Sequence, residues 1–142
     1  MEATALIVAT CLEAGMESHQ LVVVTPFRRK VMQIRHVLTQ KIGENIEIPI
    51  VDTVERVQGL TVEALVVSLC ASDPDYISSI AEFLFSDNRL NVAGRRARTK
   101  AIIISSPDIF ASLPKTYSGL RSRNMNMTFF LQKNTHPIIM NL

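Results

Sequence analysis

The stretch Leu21-Val22-Val23-Val24-Thr25-Pro26-Phe27-Arg28-Arg29-Lys30 decides how the rest of the chain is read. Its first four residues form a short apolar, β-branched run that suits a strand buried on both faces, and Pro26 stops it. Behind the Thr-Pro corner, Val31, Ile34, Val37, Leu38 and Ile42 recur at helical spacing with bases on the opposite face. Gly43 closes that helix. Working outward, residues 3–14 predict a helix buried on a broad face and ending near Gly15. Ile48–Thr53 reads as a second strand, with Pro49 near its start, where a missing N–H is tolerated. Ala64–Cys70 and Ala101–Ser106 are the third and fourth strands, and Ile77–Phe85 and Asn88–Arg98 between them have helical periodicity.

Apolar strands separated by amphipathic helices predict an α/β fold with a mostly parallel sheet flanked by helices. Right-handed crossovers then align the strand carboxyl ends along one edge, where ligands bind in such folds. Thr25-Pro26-Phe27-Arg28, Asp52-Thr53-Val54-Glu55 and Ser105-Ser106-Pro107 fall at that edge. The reading assigns residues 1–112 to this domain and expects 113–142 to be an irregular or weakly packed tail.

With 142 residues, 47% of them apolar and 20% charged, the chain is sized for one globular domain and is not disordered overall. Cys11 and Cys70 sit in apolar runs, as buried thiols in a reducing compartment do, and the expected location is cytoplasmic. His19, His36 and His136 have no acid or thiol at ligand spacing, so no metal site is expected. No apolar run is long enough to cross a bilayer, and Glu2 stands where a signal peptide would carry a base. There is no Gly-x-x-x-x-Gly-Lys-[Ser/Thr] loop, no Gly-x-Gly-x-x-Gly and no acidic metal-binding quartet after a strand. A nucleotide hydrolase complete in itself is thereby excluded.

The net charge of +2 is unevenly spread. Ser18 to Gly43 holds no carboxylate but carries Arg28, Arg29, Lys30, Arg35 and Lys41; Glu44 to Asp87 holds nine acids and one base, Arg56. Arg89, Arg95, Arg96, Arg98 and Lys100 then follow with no acid among them. The pattern fits a surface with one polyanion-facing edge, or simply solvated helix faces.

Three segments can carry chemistry. Val22–Lys30 offers a helix start and a Thr hydroxyl as a seat for a phosphate oxygen, although Thr25 serves equally as a plain cap. Val51–Val67 contains Gln58-Gly59, where an amide can donate and accept and a backbone can approach closely; a connecting turn would look the same. Asp87–Lys100, read as a helix, puts Arg89, Arg96 and Lys100 on one face. Arginines so dense suit bidentate grip on phosphate oxygens, or line a solvated face.

In this order the three segments resemble motifs IV, V and VI of superfamily 1 helicases, in the branch of the nonsense-mediated-decay helicases and related nuclease-helicases. The matching stretches are Val23–Phe27, Val51–Gly59 and Arg89–Arg98, within residues 1–107. The resemblance implies a RecA-like fold, the second such domain of a P-loop NTPase motor, lacking its own Walker A loop. It implies that Arg96 is the arginine finger reaching the γ-phosphate of ATP, with Arg98 supporting it. Gln58, Gly59 and Thr61 would face the nucleotide, and Thr25, Pro26, Phe27, Arg28, Asp52, Thr53 and Val54 would form the single-strand track. The Walker loop and Mg²⁺ ligands would lie on an N-terminal RecA-like domain, so the chain alone is expected to be inactive. Its expected partners are that domain and single-stranded nucleic acid, DNA ahead of RNA, with no membrane. The finger is expected at the carboxyl-terminal rim of the sheet. Gly94 stands where the family has an apolar residue, Arg95 where it has Ser or Thr, and Thr61 where it often has a ribose-binding Glu. The alternative is a non-catalytic nucleic-acid-binding α/β module; few stacking aromatics count against it.

Overall fold

The computed structural model describes residues 1–57, 59–69, 97–105, 127–133 and 136–141, the last two stretches as backbone. Helix α1 (Glu2–Glu13) leads through a 3₁₀ turn (Ser18–Gln20) into β1 (Leu21–Val24), and α2 (Arg28–Ile42) leads to β2 (Ile50–Asp52). Four more strands follow: β3 (Val62–Ser68), β4 (Ala97–Ser105), β5 (Met127–Lys133) and β6 (His136–Asn141). They form one sheet in the order β2-β1-β3-β4-β5-β6, parallel through β5, with β6 antiparallel at the edge.

The apolar runs are buried as their composition requires. Leu21 and Val23 of β1, Ala64 and Val66 of β3, and Ile102 and Ile104 of β4 join Ala5 and Val8 of α1 and Val31, Ile34 and Leu38 of α2 in one cluster. Alternate residues Val22, Val24, Leu65, Val67 and Ile103 are buried as well, so the strands are apolar on both faces. Each fully buried Leu or Ile here contributes about 1.5–3 kcal/mol. Thr4 and Ser68 share a buried hydroxyl–hydroxyl bond of 2.9 Å that fixes α1 over β3. Arg35 Nη2 donates to the Val51 carbonyl at 2.9 Å and fixes α2 against β2.

The chain passes from β1 through α2 to β2, then returns past β1 to β3, which creates a topological switch point beside β1. Val24, Asp52 and Val67 lie in one register row, and Ile103 continues it on β4. Thr25, Thr53, Ser68 and Ile104 follow that row at the carboxyl-terminal rim. Val62 pairs with Ala97 at the opposite, amino-terminal rim, and a register shift separates this pair from Ala64 and Lys100.

Two expectations are corrected. Residues 127–133 and 136–141, in the stretch expected to be irregular or weakly packed, are strands: Met127-Thr128-Phe129-Phe130-Leu131 pairs in parallel with Ala101–Ser105, and β6 folds back on it. Ala97, Arg98 and Lys100, read as the end of a helix, belong to β4 because pairing with Val62 and Ala64 extends that strand toward its amino end. The helices expected at Ile77–Phe85 and over residues 88–96 lie outside the described residues, as does a domain boundary at residue 112.

Candidate functional site

The residues singled out from the sequence fall on two opposite rims. At the carboxyl-terminal rim, β1 ends at Val24 and the Thr25 N–H donates to the Asp52 carbonyl at 3.1 Å, so the corners after β1 and β2 are clamped together. Thr25 is buried at 1% exposure. Pro26 and Phe27 are half-buried and Arg28 is exposed. Phe27 is the extended residue before α2, and the first turn of α2 has no acidic side chain and no side-chain cap. Three bases, Arg28, Arg29 and Lys30, therefore stand at a helix end whose own dipole is positive, an arrangement that favours an anion in front of it.

Asp52 beside this corner is committed locally. Its Oδ1 accepts the Thr53 N–H at 2.8 Å, and its Oδ2 lies 3.8 Å from Arg56 Nη1. The Thr53 carbonyl accepts from the N–H groups of Arg56 and Val57, making one helical turn that buries Val54 and Val57. Thr53 is half-buried at the rim. Of the seven residues matched to the single-strand track, Pro26, Phe27, Arg28, Asp52 and Thr53 reach the surface. Thr25 and Val54 are buried beneath them.

Residues 59–61 lead into β3, whose first residue Val62 stands at the amino-terminal rim. Gly59 has φ 95°, a left-handed conformation that glycine takes without strain, and open space lies where a Cβ would stand. Thr61 is exposed just before β3. Arg98 is the second residue of β4, with Nη1 3.6 Å from Glu63 Oε1 across the strands. Its side chain is 70% exposed, so the ion pair holds it loosely. At about 3.3 Å per residue, Arg98 lies roughly 20 Å below the carboxyl-terminal rim. Arg96 and Gln58 lie outside the described residues; in the chain Arg96 immediately precedes Ala97, the first residue of β4.

The described part of the amino-terminal rim can offer a triphosphate one movable guanidinium and an unobstructed glycine turn. Glu63 opposes an anion there, and more strongly once Arg98 turns away from it. Among the described residues no cluster of His, Cys, Asp and Glu could hold a metal ion. No helix among them is long and apolar enough to cross a membrane. Sequence reading missed Glu63 as the partner of Arg98, since only strand register brings them together. It also missed Arg56, whose spacing of four from Asp52 was a usable signal.

Residues 1–108 match the family described as AAA domain. The chain belongs to this family, as a domain of the second RecA-like type of superfamily 1 helicases. Over 93 residues, 66% of the chain, the AAA domain is 37% identical to the DNA polymerase alpha-associated DNA helicase A of Schizosaccharomyces pombe. It is 32% identical over 106 residues, 73% of the chain, to the DNA replication ATP-dependent helicase/nuclease DNA2 of Bos taurus. It is 28% identical over 102 residues, 69% of the chain, to the probable RNA helicase armi of Drosophila melanogaster. These matches cover 13%, 10% and 8% of the respective relatives, so the chain corresponds to a small part of each. The AAA domain is thus a helicase-related domain with an α/β, RecA-like fold.

Proposed function

We propose that this domain is the second motor domain of an ATP-dependent superfamily 1 helicase, with its nucleotide contacts at one rim of the sheet and its strand contacts at the other. Arg96 is the finger that meets the γ-phosphate, Arg98 supports it, and Gln58, Gly59 and Thr61 line the nucleotide side. Thr25, Pro26, Phe27, Arg28, Asp52, Thr53 and Val54 make the single-strand track. The observation that carries the reading is the separation itself: Thr61 and Arg98 adjoin the Val62–Ala97 pair at the amino-terminal rim, while the Thr25 and Asp52 corners are joined at the other. An N-terminal RecA-like domain supplies the phosphate loop and the Mg²⁺ ligands, so domain closure couples hydrolysis to movement along the strand.

The charge spread over the γ-phosphoryl oxygens in the transition state is what an inserted guanidinium stabilises, and such a finger is worth about 10³–10⁵ in rate. The strand is DNA ahead of RNA, a reading supported by two of the three relatives being named for DNA. The free, half-buried Cys11 thiol fits a cytoplasmic setting.

The test uses the protein that carries both RecA-like domains. Arg96→Ala is expected to lower kcat by about 10³-fold or more with nucleic-acid affinity nearly unchanged. The 142-residue chain alone is expected to hydrolyse no ATP and to bind single strands weakly. An unchanged kcat removes Arg96 from the finger role. Tight strand binding by the chain alone would support a non-catalytic binding module instead.

A further inference from the structure

Helices α1 and α2 both finish beside glycines in left-handed conformation, Gly15 (φ 94°) and Gly43 (φ 106°). A groove of about 630 Å³ opens between these two helix ends, on the helical face of the sheet. Leu12, Met16 and Ile46 give it an apolar floor, and Ile46 is 53% exposed there. Glu13, Glu17 and Glu47 stand on its walls, and Lys41 and His19 also line it.

The groove is braced before anything enters it. The Met16 N–H returns to the Cys11 carbonyl at 3.1 Å, folding the chain back onto α1. The Ser18 hydroxyl donates to the Glu47 carbonyl, which ties one wall to the other. Glu17 and Gln20 close a reciprocal capping box on the intervening turn. Little ordering cost therefore remains to be met on binding.

Its electrostatics select the occupant. Each helix carboxyl end carries a partial negative charge of about half an elementary unit. Three carboxylates add to these against Lys41. Glu17 faces His19 Nδ1 at 3.2 Å, whereas Glu13 and Glu47 make no ion pair among the described residues. A phosphate backbone is repelled here, while an apolar side chain flanked by cations is attracted on both counts.

We propose that this groove docks a short basic amphipathic segment of a partner polypeptide. One or two large apolar side chains cover Ile46 and Met16, and Lys or Arg residues meet Glu13 and Glu47. The inference is independent of the helicase reading, because none of these residues belongs to either rim assignment.

The test titrates the isotope-labelled 142-residue chain with a synthetic amphipathic peptide of Lys and Leu, and with its counterpart of Glu and Leu. The Lys peptide is expected to shift amide resonances within residues 12–19 and 41–47. Its Kd should weaken about tenfold in Glu13→Lys/Glu47→Lys and in Ile46→Asp, with Glu13→Gln/Glu47→Gln intermediate. These are surface sites, and an unchanged thermal midpoint checks that each variant folds. Equal binding of the Glu peptide, insensitivity to all three variants, shifts confined to other regions, or displacement of the peptide by oligothymidylate overturns the proposal.

Discussion

The two rims of the sheet are held in opposite ways. At the carboxyl-terminal rim, the corners after β1 and β2 are joined by the Thr25–Asp52 backbone bond, and the Asp52 carboxylate satisfies the Thr53 N–H. Thr25 and Val54 beneath them are each 1% exposed. At the amino-terminal rim, Arg98 is 70% exposed and its described ion pair is the 3.6 Å contact with Glu63. On the function proposed above, a strand track at the first rim gains from fixed backbone, whereas Arg98, supporting the finger at the second, gains from a guanidinium able to leave its resting partner. The contrast fits the proposed reading, in which rigidity is allocated by task and one sheet supports both ends.

Breaking the shared core should disturb both rims at once. Leu38→Ala, at a fully buried site of α2, is expected to cost about 2–5 kcal/mol and to lower the thermal midpoint markedly. If one rim kept its binding at temperatures where the other lost it, the rims would not share one cooperative core. Gly59→Ala should act next most strongly. Open space surrounds the missing Cβ, so the cost is that of the left-handed backbone alone, about 1–2 kcal/mol in denaturant unfolding.

Asp52→Ala removes the acceptor for the Thr53 N–H at the stiff rim and should cost about 1 kcal/mol. Arg98→Ala at the loose rim should cost between 0 and about 1 kcal/mol, since exposed pairs contribute little. Unfolding curves of these two variants test the contrast directly, and a larger loss for Arg98 would reverse it.

The smallest effect concerns pH. Burial pushes the Cys11 thiol above its ordinary value, and Lys100 partly counters this. The folded chain thus holds that proton more tightly than the unfolded one. The resulting stability is complete below the unfolded thiol pKa and is lost as pH rises through the raised folded value. Cys11→Ser should flatten that alkaline decline in a melting series.

Much of this was legible in the chain. The runs Leu21–Val24 and Ala101–Ile104 announce strands by composition alone, and α2 announces itself by spacing. The hairpin of β5 and β6 was not, because polar residues such as Thr128, Gln132 and Lys133 dilute the signal and β5 is paired with a distant strand. Ala97–Lys100 misled for a related reason. Four residues rich in cations continue a helical pattern locally, and only pairing with Val62 and Ala64 makes them strand. The track residues could be chosen from sequence, but which of them reach the surface depended on burial. The place of Arg98 at the amino-terminal rim depended on register, and Arg96, the finger expected at the carboxyl-terminal rim, lies outside the described residues.

The most direct test of the two-rim account is a crossed measurement on the protein bearing both RecA-like domains. Arg28→Ala and Arg98→Ala would each be assayed for single-strand Kd and for KM and kcat with ATP. The account predicts that Arg28→Ala weakens strand binding and lessens its salt dependence by about 0.7 in log–log slope, with ATP parameters at saturating strand unchanged. Arg98→Ala should impair ATP turnover and leave strand affinity intact. Parallel loss of both properties in both variants would contradict the separation on which the functional reading rests.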